Sequence, residues 1–235
     1  MDAEHAVRVN FGRPVPVFPL ASPALVPQQV VPLHIFEDRY VRMMRDVLDG
    51  AGQIAMAVFA NESWKQEYAG RPAIRRAVCV GQIMQHEALP DGRFDILLQG
   101  VCRARVKREL PPDGSLPYRL AVLEPIEGPE PDESELRPVR DWVAEELRSG
   151  ALSAFASAED LLEYLNDERI ETSTLLELLS FTLLSDHELR YRLLDEGNAV
   201  ERSKIVRAAL EKTAKMLRLA RHQHPEQWPK GMSWN

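Results

Sequence analysis

Val31-Pro32-Leu33-His34-Ile35-Phe36-Glu37-Asp38-Arg39-Tyr40 is the stretch on which the fold turns. Its first half is an apolar run broken by Pro32. Such a run reads as a bent or edge strand, because proline cannot donate to a ladder. Its second half leads into a helix: Tyr40, Met43, Met44, Val47 and Leu48 recur at helical spacing and make one apolar stripe. Gly50 is expected to close that helix at its C′ position. Ile35 and Phe36 therefore stand at a strand-to-helix corner. Glu37 and Asp38 suit the positive N-terminal end of the helix. The opposite helix face carries Arg42, Arg45, Asp46 and Asp49, a mixed-charge surface. His34 reads as a half-buried, hydrogen-bonded histidine.

Outward from this corner, Val15–Leu20 is a second proline-interrupted strand and Ile54–Ala60 a short buried one. Ala77–Leu89 and Arg93–Val106 flank Pro90-Asp91-Gly92, a turn signal that predicts a long hairpin. Gly100 predicts a bulge where the sheet curls, and Tyr118–Ile126 supplies a last strand. Thirteen of the 17 prolines fall at or before Pro129, so short strands and irregular connections dominate the first half. Gly128-Pro129-Glu130-Pro131-Asp132 reads as a linker. Beyond it the pattern is helical. Leu136–Leu147 and Leu175–Leu184 are apolar stretches; Ser157-Ala158-Glu159-Asp160, Ser185-Asp186-His187-Glu188 and Asn198-Ala199-Val200-Glu201 read as helix starts, the second as a capping box. Gly197 ends one helix, and the last runs to about Arg221. The expected architecture is α+β: residues 1–128 form a small β barrel with an inserted helix, and residues 129–221 an α-helical bundle. Residues 222–235 form a tail, with Trp228 and Trp234 either disordered or docked back on the body.

Composition narrows the function classes. The 235 residues are 28% charged and 45% hydrophobic, with a net charge of −7. Residues 1–128 hold 15 Lys+Arg against 15 Asp+Glu, and residues 129–235 hold 14 against 21. A nucleic-acid binder shows a basic stripe. The best cluster here is Arg103, Arg105, Lys107 and Arg108, which alternation turns into a solvated strand face. Cys79 and Cys102 are too few for a disulfide framework and read as small buried hydrophobes in a reducing compartment. No apolar run approaches membrane-spanning length, and the N-terminus lacks the features of a signal peptide. A soluble cytoplasmic protein is expected. GxxxxGK[ST], GxGxxG, GxSxG and HExxH are all absent, and the six histidines are scattered. No catalytic residue, metal or cofactor is expected.

Taken in order, Val17-Phe18-Pro19-Leu20, the stretch from Val31 to Tyr40, Val80-Gly81-Gln82-Ile83, Leu89-Pro90-Asp91-Gly92-Arg93-Phe94, Leu97-Leu98-Gln99-Gly100-Val101 and Pro117-Tyr118-Arg119-Leu120-Ala121 resemble the signature of the Lon protease N-terminal domain. The resemblance covers residues 13–127 closely and extends more loosely to about residue 220. It implies a PUA-like β pseudobarrel followed by a helical bundle, and a role in recognising unfolded or tagged protein substrates. It also implies a short, stand-alone form without motor or protease, onto which none of the family's catalytic residues can be carried. The family usually has Pro-Gly before the second strand, where this chain has Pro27-Gln28. A turn that needs a positive φ is therefore expected to change shape there.

The leading functional expectation is a non-catalytic module that binds exposed hydrophobic segments of client polypeptides through an apolar groove or an open sheet edge. Phe36, Arg39 and Arg42 are the candidate contacts. A chaperone or protease is a conceivable partner, no membrane or nucleic acid is expected, and the oligomeric state is left open. If the barrel folds alone, binding is expected to survive removal of residues 129–235. Two alternatives are an RNA-binding PUA-like module, disfavoured by the neutral first half, and a small-molecule-binding domain between barrel and bundle.

Overall fold

The computed structural model describes residues 7–22, 24–67, 70–112 and 114–222. Six strands and six helices alternate irregularly, an α+β fold. The strands are β1 (Val15–Leu20), β2 (Val30–Ile35), β3 (Gln53–Val58), β4 (Ala77–Ala88), β5 (Phe94–Glu109) and β6 (Arg119–Pro125). They form one sheet in the order β2-β5-β4-β3-β1-β6, and β6 pairs back onto the far end of β5. Five strands thus close a ring of pairings, while β2 hangs on the proximal half of β5. Small inward residues, among them Ala55, Ala57, Ala104 and Ala121, fill the ring with Val15, Val17, Val78, Val80 and Leu123. Alanine and valine suit a ring of so few strands, whose interior has no room for larger side chains.

The hairpin forms as its turn predicts. Gly92 adopts φ 85° and donates to Leu89 O at 2.9 Å. The bulge lies beside Gly100: Val80 pairs with Cys102 but Gly81 with Gly100, which leaves Val101 over. A Cβ on Gly100 would fall 2.2 Å from Val26 O, so this glycine is required by close backbone approach.

The Pro27-Gln28 turn departs from expectation. It keeps the left-handed conformation with a glutamine in it: Gln28 has φ 68°, the one non-glycine residue with positive φ among the described residues. Its N–H donates to Gly100 O at 2.9 Å, so the ladder holds the strain in place. Left-handed backbone costs a side-chain-bearing residue about 1–2 kcal/mol, and glycine returns roughly 0.5–1 kcal/mol of that as unfolded-state entropy. Gln28→Gly is therefore expected to stabilise the protein by about 0.5–1 kcal/mol, read as a higher urea midpoint at unchanged slope. An unchanged or lower midpoint would show that the turn carries no strain.

Between β2 and β3 runs α1 (Asp38–Leu48), which buries Tyr40, Met43, Met44 and Val47. Its closing glycine is not the expected one. Gly50 has no positive φ, and Gly52 takes φ 68° while donating to Val47 O at 3.1 Å.

The later helices are α2 (Glu133–Arg148), α3 (Ala158–Asn166), α4 (Thr172–Leu183), α5 (His187–Asp195) and α6 (Ala199–His222). The chain divides into two compact units: residues 1–129 with 185–198, and residues 130–184 with 199–235. The helix α5, expected in the bundle, thus belongs to the sheet unit. It starts one residue later than its apparent capping box: Asp186, not Ser185, accepts from Leu189 N–H at 2.9 Å. Tyr191 Oη accepts from Ala77 N–H at 2.8 Å, and the Arg75 guanidinium lies 3.3 Å from the Tyr191 ring centroid. Arg103, expected to be solvated, is 1% exposed. It donates to Leu193 O at 3.0 Å and pairs with Glu127 at 3.0 Å. Arg105 reaches Asp195 at 2.6 Å. Two arginines of β5 thus meet the C-terminal end of α5, where the helix dipole favours cations. Gly197 then turns the chain so tightly that a Cβ would fall 1.7 Å from Ile126 O.

In the second unit, a reciprocal capping box on Asp132 and Glu135 starts α2. Arg140, 3% exposed, ties the α3–α4 connection by donating to Leu165 O at 2.9 Å, Asp167 O at 2.7 Å and Ile170 O at 2.7 Å. Glu177 and Arg202 form a buried ion pair at 3.2 Å.

Candidate functional site

The strand-to-helix corner carries Phe36, the most exposed large apolar side chain among the described residues of the sheet unit. Strand β2 pairs with β5 alone among the described strands, so its other edge is open. Gly100 N–H donates to Gln29 O at 2.8 Å. Counting from that bond, the alternation of an antiparallel ladder turns residues 31, 33 and 35 toward β5 and residues 30, 32 and 34 outward. Pro32 removes the middle outward donor. The open edge is therefore blunted against addition of a full strand, which leaves side-chain burial as the main means of contact.

The side chains available for that are large. Phe36 is 58% exposed, Met84 53% and Val30 50%. Phe36 stacks on the His34 ring at 5.9 Å between centroids, 22° from parallel. His34 Nδ1 lies 2.6 Å from Asp95 Oδ1, with both side chains about half exposed, so His34 is hydrogen-bonded but more open than expected. Beside this pair lies a cleft of about 630 Å³ bounded by Pro32, His34, Glu87, Asp95 and Leu97 among others.

The other two candidate contacts are already engaged. Arg39 pairs with Glu37 at 2.9 Å and lies 4.7 Å from the Tyr40 ring centroid. Arg42 pairs with Asp46 at 2.9 Å, and Asp46 also accepts from Tyr118 Oη at 2.9 Å. Phe36 offers an unencumbered surface, whereas each arginine must leave a carboxylate to touch a partner.

A model of the ATP-dependent protease La (LON) substrate-binding domain matches residues 14–212. The chain belongs to this LON substrate-binding family. A Lon protease of Cytophaga hutchinsonii is 23% identical over 215 residues, 92% of this chain but 26% of the relative. The Lon protease of Rhizobium meliloti is 26% identical over 200 residues, 84% of this chain and 23% of the relative. The chain thus spans about a quarter of the length of these curated relatives. The solved N-terminal domain of Mycobacterium avium complex Lon protease superposes with a TM-score of 0.62 at 15% identity, covering 83% of this chain and 96% of that one. A Lon N-terminal domain protein from Xanthomonas campestris gives 0.62 at 21% identity, over 83% and 98%. The α+β fold expected from the motifs is the fold these domains share.

Elsewhere in this LON domain the polar groups are poised for structure. Burial, helped by Glu127, pushes the Cys102 thiol up to about 11, so it stays protonated at neutral pH and is a poor nucleophile. A second cleft, about 260 Å³, lies beside Asp46 and Tyr118. Burial and the bond to Asp46 push the Tyr118 phenol up to about 12. Burial alone would raise Asp46, but hydrogen bonds from Arg42 and Tyr118 outweigh it and hold the carboxyl below its ordinary value. At neutral pH the phenol therefore keeps its proton and the carboxylate stays ionised. Among the described residues no three His, Cys, Asp or Glu side chains are grouped to hold a metal, and no helix is long and apolar enough to cross a membrane.

Sequence reasoning reached Phe36 and His34 but missed Asp95, Glu87, Met84 and Val30. Half of that was available: a turn centred on Asp91 pairs Glu87 with Asp95. The pairing of His34 with Asp95 joins strands 61 residues apart, and no local signal carries it.

Proposed function

We propose that this LON-family domain is a non-catalytic module that binds exposed hydrophobic segments of client polypeptides at the β2–α1 corner. The observation that carries the reading is Phe36, 58% exposed at the open end of the sheet and backed by His34, with Arg39 and Arg42 on the adjoining turn of α1 as secondary contacts. A large exposed apolar side chain beside a cleft offers area that a partner can bury. A single site of this size supports micromolar or weaker affinity, because association entropy offsets much of the burial. The fate of the basic strand favours this reading over RNA binding: its Arg103 and Arg105 are committed to Glu127 and Asp195, and Arg75 beside it to Glu188. Two cysteines in 235 residues are too few for a disulfide framework, which supports a reducing, cytoplasmic setting.

Phe36→Ala is expected to weaken binding to denatured casein about 5- to 30-fold, the loss of one partly buried aromatic contact worth about 1–2 kcal/mol. Because Phe36 is exposed, the melting temperature should move little. Wild-type protein that ignores denatured casein, or a variant that binds it equally well, would remove the reading. RNA binding would show instead as a low-salt gel shift that fades steeply with added salt.

A further inference from the structure

The cleft next to Phe36 carries an electrostatic asymmetry. Glu87 on β4 stands directly across from Asp95 on β5, and Asp95 directly across from His34 on β2. Three strands thus set two carboxylates and a histidine in one row. Like charges directly opposite each other on a sheet repel and lower stability. One Asp95 oxygen is occupied by His34; Glu87 has no hydrogen-bond or ion-pair partner among the described residues. No lysine or arginine is among the residues bordering the cleft, and the nearby Arg93 is held by Asp91 of the turn at 3.3 Å. Pro32, Leu33, Ile96 and Leu97 supply the apolar part of the wall, and Gln85 and His86 the rest of its polar part.

We propose that this cleft selects client segments in which a large apolar residue adjoins a lysine or arginine. The apolar side chain lies against Phe36 and His34, and the cation enters the row between Asp95 and Glu87. There it relieves a repulsion that the free protein must bear, so the charge contributes more than a cation meeting one solvated carboxylate. The inference rests on the client-binding reading above and narrows it to a chemical class. It accounts for a feature that reading leaves unexplained, namely two carboxylates in register beside the open apolar corner.

The test uses the full chain and three fluorescent peptides of identical apolar sequence, whose central flanking residue is Lys, Ser or Glu. At low salt the lysine peptide should bind about 10-fold more tightly than the glutamate peptide, with serine between them. The preference should shrink toward unity as salt is raised, because partly exposed charges are screened. In Glu87→Gln/Asp95→Asn the ratio of lysine-peptide to glutamate-peptide affinity should collapse toward unity, whatever the change in serine-peptide binding; both positions are exposed, so folding should be unaffected, as the melt can verify. Equal binding of the three peptides to the wild type, or a preference that survives in the double variant, overturns the inference and leaves the client-binding reading intact. Failure of all three peptides to bind the wild type overturns both.

Discussion

A chain cut after Pro129 will not hold its fold, although the strands and α1 are all present. The cut removes α5, which belongs to the sheet unit. It strips Tyr191, Leu193 and Leu194, each at most 6% exposed, and their burial contributes roughly 1.5–3 kcal/mol apiece. It also takes the carbonyl that Arg103 donates to and the carboxylate that Arg105 pairs with. A buried cation with part of its shell removed costs several kcal/mol more. Together these losses match the roughly 5–15 kcal/mol by which a domain is stable at all. The fragment should aggregate or lack a cooperative melt by circular dichroism. The same fragment carrying residues 185–198 on a flexible linker should regain the transition. A sharp, reversible melt from the bare fragment would show that α5 is dispensable. The earlier expectation that binding survives removal of residues 129–235 is thus revised, since that deletion takes part of the sheet unit with it.

The second large effect is expected at Arg140. Its guanidinium gathers three backbone carbonyls of the α3–α4 connection, lies near the Thr172 hydroxyl at 3.4 Å and stands 3.6 Å from Glu133. Glu133 in turn accepts the Thr172 N–H at 3.1 Å, so one arginine joins the start of α2 to the start of α4. Arg140→Met keeps the apolar stem but leaves the carbonyls without donors. About 3–5 kcal/mol should be lost, the range for removing one member of a buried charged network. Arg140→Lys should recover only part, because a point charge cannot reach three divergent acceptors as a planar fork does. Chemical denaturation followed by helical signal gives both values. A loss below about 1 kcal/mol in the methionine variant would mean that water replaces the guanidinium without penalty.

Local patterns reached only as far as their own stretch of chain. The helix α1, the β4–β5 hairpin and the five later helices each depend on neighbours within about a dozen residues: a stripe at helical spacing, a turn with one glycine, a capping side chain. The pairing of Glu87 with Asp95 belongs here too, since a hairpin's register follows from its turn. The position of α5 does not. Its apolar residues look like those of any bundle helix, and only a sheet with arginines at 75, 103 and 105 distinguishes its place.

The sequence by itself determined the α+β class, the six strands, the family resemblance and the strand-to-helix corner at Phe36, because periodicity, turn chemistry and composition act over short stretches of chain. The tertiary structure alone decided that α5 covers the basic face of β5, that Gln28 holds a left-handed turn, and that His34, Asp95 and Glu87 share one row. Each depends on segments distant along the chain meeting in one register, where burial and backbone approach override the preference of any single residue.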